Sequence, residues 1–241
     1  MAVMKHLFIP FILSFFIYSS VSAQEKKADS IYIQDSRFDF KYKKLIVPTT
    51  LMIAGLALDG SGSESVKNEI AEERNEHLFY FKHNIDDYAQ FAPMVALYAF
   101  DLAGMQAKTN WKDRTAILVK GQVLNLGLVY ILKKSLKETR PDGTDYSFPS
   151  GHTANVFMGA TMLAIEYGEN HKWVPYAAYG LASGVGIMRM ANNKHYISDV
   201  LFGAGLGILS AKVAYWTHGY RWNRSKSEKD PLTEISITQL D

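Results

Sequence analysis

Three short stretches of this chain carry side chains suited to handling an anion. The first is Lys133, followed after six residues by Arg140 and Pro141. The second is Pro149-Ser150-Gly151-His152, and the third is Arg189, His195 and Asp199. His195 and Asp199 are four residues apart, a spacing that on a helix puts both on one face. A carboxylate bonded to one imidazole nitrogen fixes the tautomer and makes the other nitrogen a better base or nucleophile. Arg189, six residues before His195, brings a permanently charged fork that matches phosphate oxygens. In the second stretch Ser150 is suited to cap a helix whose first turn holds Thr153 and Asn155. The free N–H groups there, with the helix dipole, make an anion site. Gly151 lets the backbone approach an oxyanion. His152, held beside a bound anion, is favoured in its protonated form and suits a general acid. Lys133 and Arg140 add two more cations, and the pattern predicts a helix ended by Pro141 with Arg140 at its mouth.

Three basic side chains, an anion-binding turn, two histidines and a carboxylate fit the needs of phosphoryl transfer. Those needs are neutralised oxygens, an in-line nucleophile and an acid for the leaving group. No carboxylate cluster or histidine pair has metal-ligand spacing, so the expectation is no metal and no other cofactor. Each piece alone also has a plainer reading: a surface His–Asp pair, cations offsetting a helix dipole, an ordinary serine cap. Their joint occurrence is what carries weight. The string Pro149–His152 alone would arise by chance in roughly one such chain per thousand, at ~5% usage per residue type. His77, His83, His171 and His218 have no partner by spacing and are assigned no role.

The elements that must hold these groups are predominantly apolar. The chain has 241 residues, 48% hydrophobic and 13% aromatic, which excludes a disordered chain and suits a single domain of ordinary size. It has no cysteine, so disulfides and thiolate chemistry are excluded. A net charge of +2, with no basic run, gives no support for nucleic acid as a partner. Mean hydropathy is only −0.08, yet apolar stretches recur at 45–58, 91–105, 114–132, 153–167, 173–188 and 196–216. No alternating strand pattern competes with them. The expected fold is all-α, a helical bundle of about six core helices with the active site at one end. Residues 64–77 are expected to be an exposed, mostly acidic helix. Glycines in 202–207 permit close helix packing.

Residues 1–23 have the n-region, apolar h-region and small-residue end of a signal peptide, with Val21-Ser22-Ala23 before the cleavage point. The remainder, 24–241, is expected to be one domain with a polar tail from about residue 219. Several apolar stretches fall short of the ~20 residues that a membrane span needs. After a cleaved signal, crossings at 45–58, 91–105 and 114–132 would leave Lys133 on the inner side. Either one of the early segments does not cross, or the first segment is not simply cleaved, or the protein sits on the outer surface without crossing; the 45–58 stretch, short and containing Pro48, is the best candidate for a re-entrant or peripheral helix.

The three stretches resemble the signature of the type 2 phosphatidic acid phosphatase superfamily, which also holds bacterial class A acid phosphatases and vanadium haloperoxidases. The family pattern is Lys-x6-Arg-Pro, Pro-Ser-Gly-His and Ser-Arg-x5-His-x3-Asp, and the match covers residues 133–199. One departure is Met188 in place of the serine before Arg189. The resemblance implies that His195 attacks phosphorus, Asp199 orients it, and His152 protonates the leaving oxygen and later helps water attack. It implies that Lys133, Arg140, Ser150, Gly151 and Arg189 hold the phosphate oxygens. It further implies a phosphoric monoester hydrolase acting on a phosphorylated membrane lipid, such as lipid A or an isoprenyl pyrophosphate, at the periplasmic face of the inner membrane. The alternative it carries is a soluble periplasmic acid phosphatase on small monoesters. Less favoured are a vanadate haloperoxidase, whose further cage residues are not identified here, and an inactive membrane scaffold.

Overall fold

The structure, a computed structural model, describes residues 41–60 and 65–218; the expected signal peptide and the tail from about residue 219 lie outside the described residues. A 3₁₀ turn at Tyr42–Leu45 leads into α1 (Ile46–Ala57). There follow α2 (Val66–His77), α3 (Ile85–Ala89), α4 (Ala92–Leu102), α5 (Trp111–Leu136), α6 (Gly151–Tyr167), α7 (Trp173–Ala191) and α8 (Ile197–Trp216). No strand forms among the described residues; one isolated antiparallel bridge joins Thr139 to Asp145. The all-α expectation holds. The six apolar stretches are α1 and α4 to α8, displaced by only a few residues at their ends. The polar helix α2 buries none of its residues, as its composition predicts.

The central element is α8, packed against α1, α5 and α6. Its glycines allow this. A Cβ at Gly203 would lie 2.6 Å from the Ser150 carbonyl oxygen, and one at Gly205 would lie 2.5 Å from that of Pro48. Any side chain there would push away α6 or α1, so helix axes approach more closely than larger residues permit. The α6 side of this contact buries Ala154, Met158 and Met162 completely. Complete burial of a methionine side chain contributes ~1.5–3 kcal/mol. The close α6–α8 contact bears on function because the Ser150 turn rests on Gly203.

The long helix α5 is capped by Asn110, whose side chain accepts from the amides of Lys112 and Asp113, both at 3.0 Å. It stops at Leu136 because Lys137 turns left-handed at φ 51°. The expectation that Pro141 ends this helix is therefore corrected: the chain leaves the helix four residues earlier, at Lys137. Arg140 instead lies in a loop, where its amide donates to the Thr144 carbonyl at 2.7 Å and that of Ser147 donates to Glu138 at 2.8 Å. The midpart of α5 presents an apolar stripe outward: Val119 (56% exposed), Val123 (69%), Leu126 (55%) and Tyr130 (64%). By length and composition α5 and α8 can each cross a membrane, whereas α1 and α4 are too short.

Candidate active site

The three motifs converge where α5 ends and where α6 and α8 begin. His195 and Asp199 meet, with Nδ1 3.2 Å from Oδ2, but not as a pair on one helix face. Helix α8 begins at Ile197, so His195 precedes it. Asp199, in the first turn, reaches back and also accepts the Tyr196 amide at 3.0 Å. A carboxylate in that position is further favoured by the helix dipole. The same Oδ2 accepts from the Ser147 hydroxyl. The Asp199 carbonyl in turn accepts the Ser150 amide at 3.1 Å, which joins the second motif to the third. With Nδ1 engaged, Nε2 is the nitrogen of His195 left to react.

His195 is 3% exposed. Burial holds its pKa well below the ordinary imidazole value, reinforced by the charges of Lys133, Arg189, Arg140 and His152. The ring is consequently neutral near pH 7, as a nucleophile must be. The cations of all three motifs thus act on one imidazole. Lys133, in the last turn of α5, donates to the Ser147 carbonyl at 3.0 Å and to that of Tyr146. It thereby ties α5 to the loop that carries Ser147 and Pro149. Arg189 Nε and Arg140 Nε are buried with no hydrogen-bond partner.

Ser150 caps α6 as the sequence implies, its side chain accepting from the Thr153 amide. Gly151 opens the helix. Only Val129 Cγ1 would come near a Cβ there, at an ordinary 3.5 Å, so the protein's own packing does not demand glycine at this position. A glycine that the packing does not require suits close approach of an oxyanion to the backbone. His152 projects toward the mouth of the site with its side chain 28% exposed, and its Nε2 lies 2.9 Å from Asp87 Oδ1. Burial and the Arg189 charge lower its pKa, while Asp87 and Asp86 act in the opposite direction.

Four residues of this neighbourhood were not singled out from the sequence: Ser147, Asp86, Asp87 and Asn192. Asp86 is fully buried on α3 and accepts from Arg189 Nη1 at 2.6 Å. Asn192 donates to Asp86 Oδ1 at 3.0 Å and to the His83 carbonyl at 2.7 Å, and it accepts the His83 amide at 2.9 Å. This side chain thus clasps the segment before α3 to the end of α7. Asn192 lies in the interval between Arg189 and His195, where its polarity was a usable signal. The two aspartates had none beyond their adjacency. His83, left without a role, contributes only its backbone here. His218, also left without one, lies at the other end of the bundle, 3.3 Å from Asp113. No group of three or more histidine, aspartate or glutamate side chains among the described residues is arranged to hold a metal ion.

Residues 114–223 match the model of the PAP2 superfamily. The chain is 34% identical over 184 residues to the lipid A 1-phosphatase of Porphyromonas gingivalis, a match spanning 72% of this chain and 41% of that protein. It is 31% identical over 117 residues to phosphatidylglycerophosphatase B of Bacillus subtilis, spanning 42% of this chain and 56% of that one. A crystal structure of Aquifex aeolicus LpxE superposes with a TM-score of 0.47 at 21% identity, covering 65% of this chain and 96% of the other. The chain thus spans less than two thirds of the length of these two relatives. The likeness to the PAP2 superfamily model lies in residues 114–223, just under half of the chain.

Proposed function

We propose that this chain is a metal-independent phosphatase that hydrolyses a phosphate or pyrophosphate ester of a membrane lipid through a phosphohistidine. The observation that carries the reading is the cage itself. Lys133, Arg140 and Arg189 surround a neutral, Asp199-oriented His195, and two arginine Nε donors there have no partner. A phosphate ester dianion, whose three non-bridging oxygens become equatorial during transfer, meets those donors.

In the first step His195 Nε2 attacks phosphorus in line and the bond to the ester oxygen breaks. His152 gives its proton to that oxygen, and the alcohol leaves. In the second step water attacks the phosphohistidine, His152 takes up a proton from it, the N–P bond breaks and inorganic phosphate departs. Asp199 remains ionised throughout and stabilises the charge that develops on the imidazole. The amides of Gly151 and His152 at the start of α6, with the three cations, hold the phosphate oxygens.

The lipid substrate is favoured by the outward apolar stripe of α5 and by the names of the relatives. A lipid A phosphate and an isoprenyl pyrophosphate are the leading substrates, and the site faces the periplasm from the inner membrane. An exported protein reaching that side fits the signal-like residues 1–23. Phosphate release from lipid A, undecaprenyl pyrophosphate, phosphatidylglycerophosphate, phosphatidic acid and nitrophenyl phosphate tests this. The expected result is turnover of at least one lipid well above nitrophenyl phosphate in kcat/KM. Preference for the small monoester would overturn the lipid assignment, and no release from any of them would overturn the enzyme.

A further inference from the structure

Two adjacent aspartates face the cage, and they differ. Asp86 is sealed in: its side chain is 1% exposed, and Arg189 and Asn192 hold its two oxygens. Asp87 stands at the mouth with its side chain 50% exposed. A single oxygen of Asp87, Oδ1, bridges two groups, lying 2.9 Å from His152 Nε2 and 3.3 Å from Arg189 Nη1. An ester oxygen on a phosphate held in this site must meet the same two groups, the acid and one cation of the cage. A carboxylate oxygen is a fair mimic of it in charge and in hydrogen-bond geometry.

We infer that Asp87 is an internal stand-in for the substrate's oxygen, a positioning residue that holds His152 and Arg189 in register and yields its place when the phosphate ester binds. The inference rests on the phosphatase reading above. Several features fit this role. Asp87 lies on the five-residue α3, whose attachment to the site is carried by Asp86 and by the Asn192 clasp, so Asp87 can swing out without releasing the helix. Half of its side chain is exposed to solvent. The charged groups acting on His152 are Arg189 from α7, and Asp87 and Asp86 from α3, with His195 within reach of its charge. Asp87 is among those that favour the imidazolium, opposing the burial and the Arg189 charge that lower the His152 pKa.

A stand-in competes with what it imitates. If Asp87 occupies the position in most molecules, the apparent dissociation constant of an anion is raised in proportion. The test is equilibrium binding of orthophosphate to the full chain in detergent, followed by calorimetry or phosphorus NMR, at one fixed pH for every variant. Asp87→Asn should bind phosphate ~3–10-fold more tightly than wild type. Asp87→Glu should return toward wild type, and Asp87→Ser, which keeps a small polar group, should behave like Asp87→Asn. A second readout is one that a merely structural aspartate would not move. In Asp87→Asn the alkaline limb of kcat/KM, set by loss of the His152 proton, should shift to lower pH.

Unchanged or weaker phosphate binding in both neutral variants overturns the inference, as does an unmoved alkaline limb. Binding is read without turnover, so the two readings fail separately. A wild-type chain that hydrolyses no ester sinks the phosphatase reading, whereas an active chain with phosphate affinity indifferent to residue 87 sinks only the role of Asp87.

Discussion

The bundle has a cluster of buried charge at each end, and the two clusters are built differently. Helix α5 runs from one to the other, with Arg114 in its first turns and Lys133 in its last, about 28 Å apart at 1.5 Å per residue. Helices α6 and α8 run the opposite way, from His152 and Asp199 to Glu166, Tyr167 and Tyr215. At the far end the cation meets a carboxylate directly: Arg114 pairs with Asp101, which also accepts from the Tyr167 hydroxyl at 2.8 Å. Glu166 there accepts from the Thr109 amide and hydroxyl, both at 2.9 Å, and from the Tyr215 hydroxyl. At the site end Lys133 donates to carbonyls and Arg140 makes no ion pair among the described residues, while Arg189 is paired with Asp86 and Asp87. Arg114 Nε lacks a partner just as Arg140 Nε and Arg189 Nε do. An orphaned donor therefore does not by itself mark a site; the difference is that Lys133 and Arg140, two of the three site cations, form no ion pair among the described residues. One end closes the bundle, and the other keeps positive charge available for a ligand.

The contrast makes predictions of unequal size. The largest concerns His195. His195→Ala should lower kcat by at least ~10⁴-fold, as loss of a nucleophile does elsewhere. Its melting temperature in detergent should stay near that of wild type, because the imidazole contributes one 3.2 Å hydrogen bond to the fold. Next is the acid. His152→Ala should cost ~10²–10⁴-fold, with a heavier loss on alkyl phosphates than on nitrophenyl phosphate, whose leaving group needs little protonation. The pH profile carries the same point. His152 must be protonated and its pKa lies below the ordinary 6.5, so wild-type kcat/KM should fall as pH rises through that lowered value. The alkaline limb should vanish in His152→Ala; a limb that survives would assign it to another group.

At the far end the expected effect is on stability alone. Arg114 is fully buried, and breaking a buried pair costs ~3–5 kcal/mol, taken here at the low end because Asp101 is 34% exposed. Arg114→Ala should lower the melting temperature while kcat/KM per folded molecule is unchanged. A loss of activity without a loss of stability would mean that the two ends are coupled. The smallest effect is at Asn192, whose side chain is uncharged. Asn192→Ala removes its hydrogen bonds to His83 and Asp86, worth ~1–2 kcal/mol together. That loosening of α3 and Arg189 should appear as roughly a 5–30-fold loss in kcat/KM. Steady-state kinetics beside a melting curve separates it from unfolding.

The apolar helices and the three motifs could be read from the sequence because each is a local pattern: a 3.6-residue period, a capping serine, a fixed interval between basic and imidazole groups. What failed was local geometry inferred from spacing alone. The interval from His195 to Asp199 suggested one helix face, yet the helix starts between them, and the contact is made by a first-turn carboxylate reaching backward. Pro141 suggested a helix end that Lys137 in fact supplies. The remaining omissions are non-local. Asp86 and Arg189 are 103 residues apart, and Asp87 and His152 are 65 apart. No periodicity links such pairs; only the packing of α3 against α6 and α7 brings them together.

The central claim is that the phosphoryl group passes through the imidazole of residue 195. Rapid mixing of the full chain with a phosphate ester, an alkaline quench that preserves the N–P bond, and mass spectrometry of the peptides measure this directly. The expected result is a phosphorylated His195 that forms and decays during turnover. Phosphate release with no label at that residue, or with the label on another side chain, would contradict it.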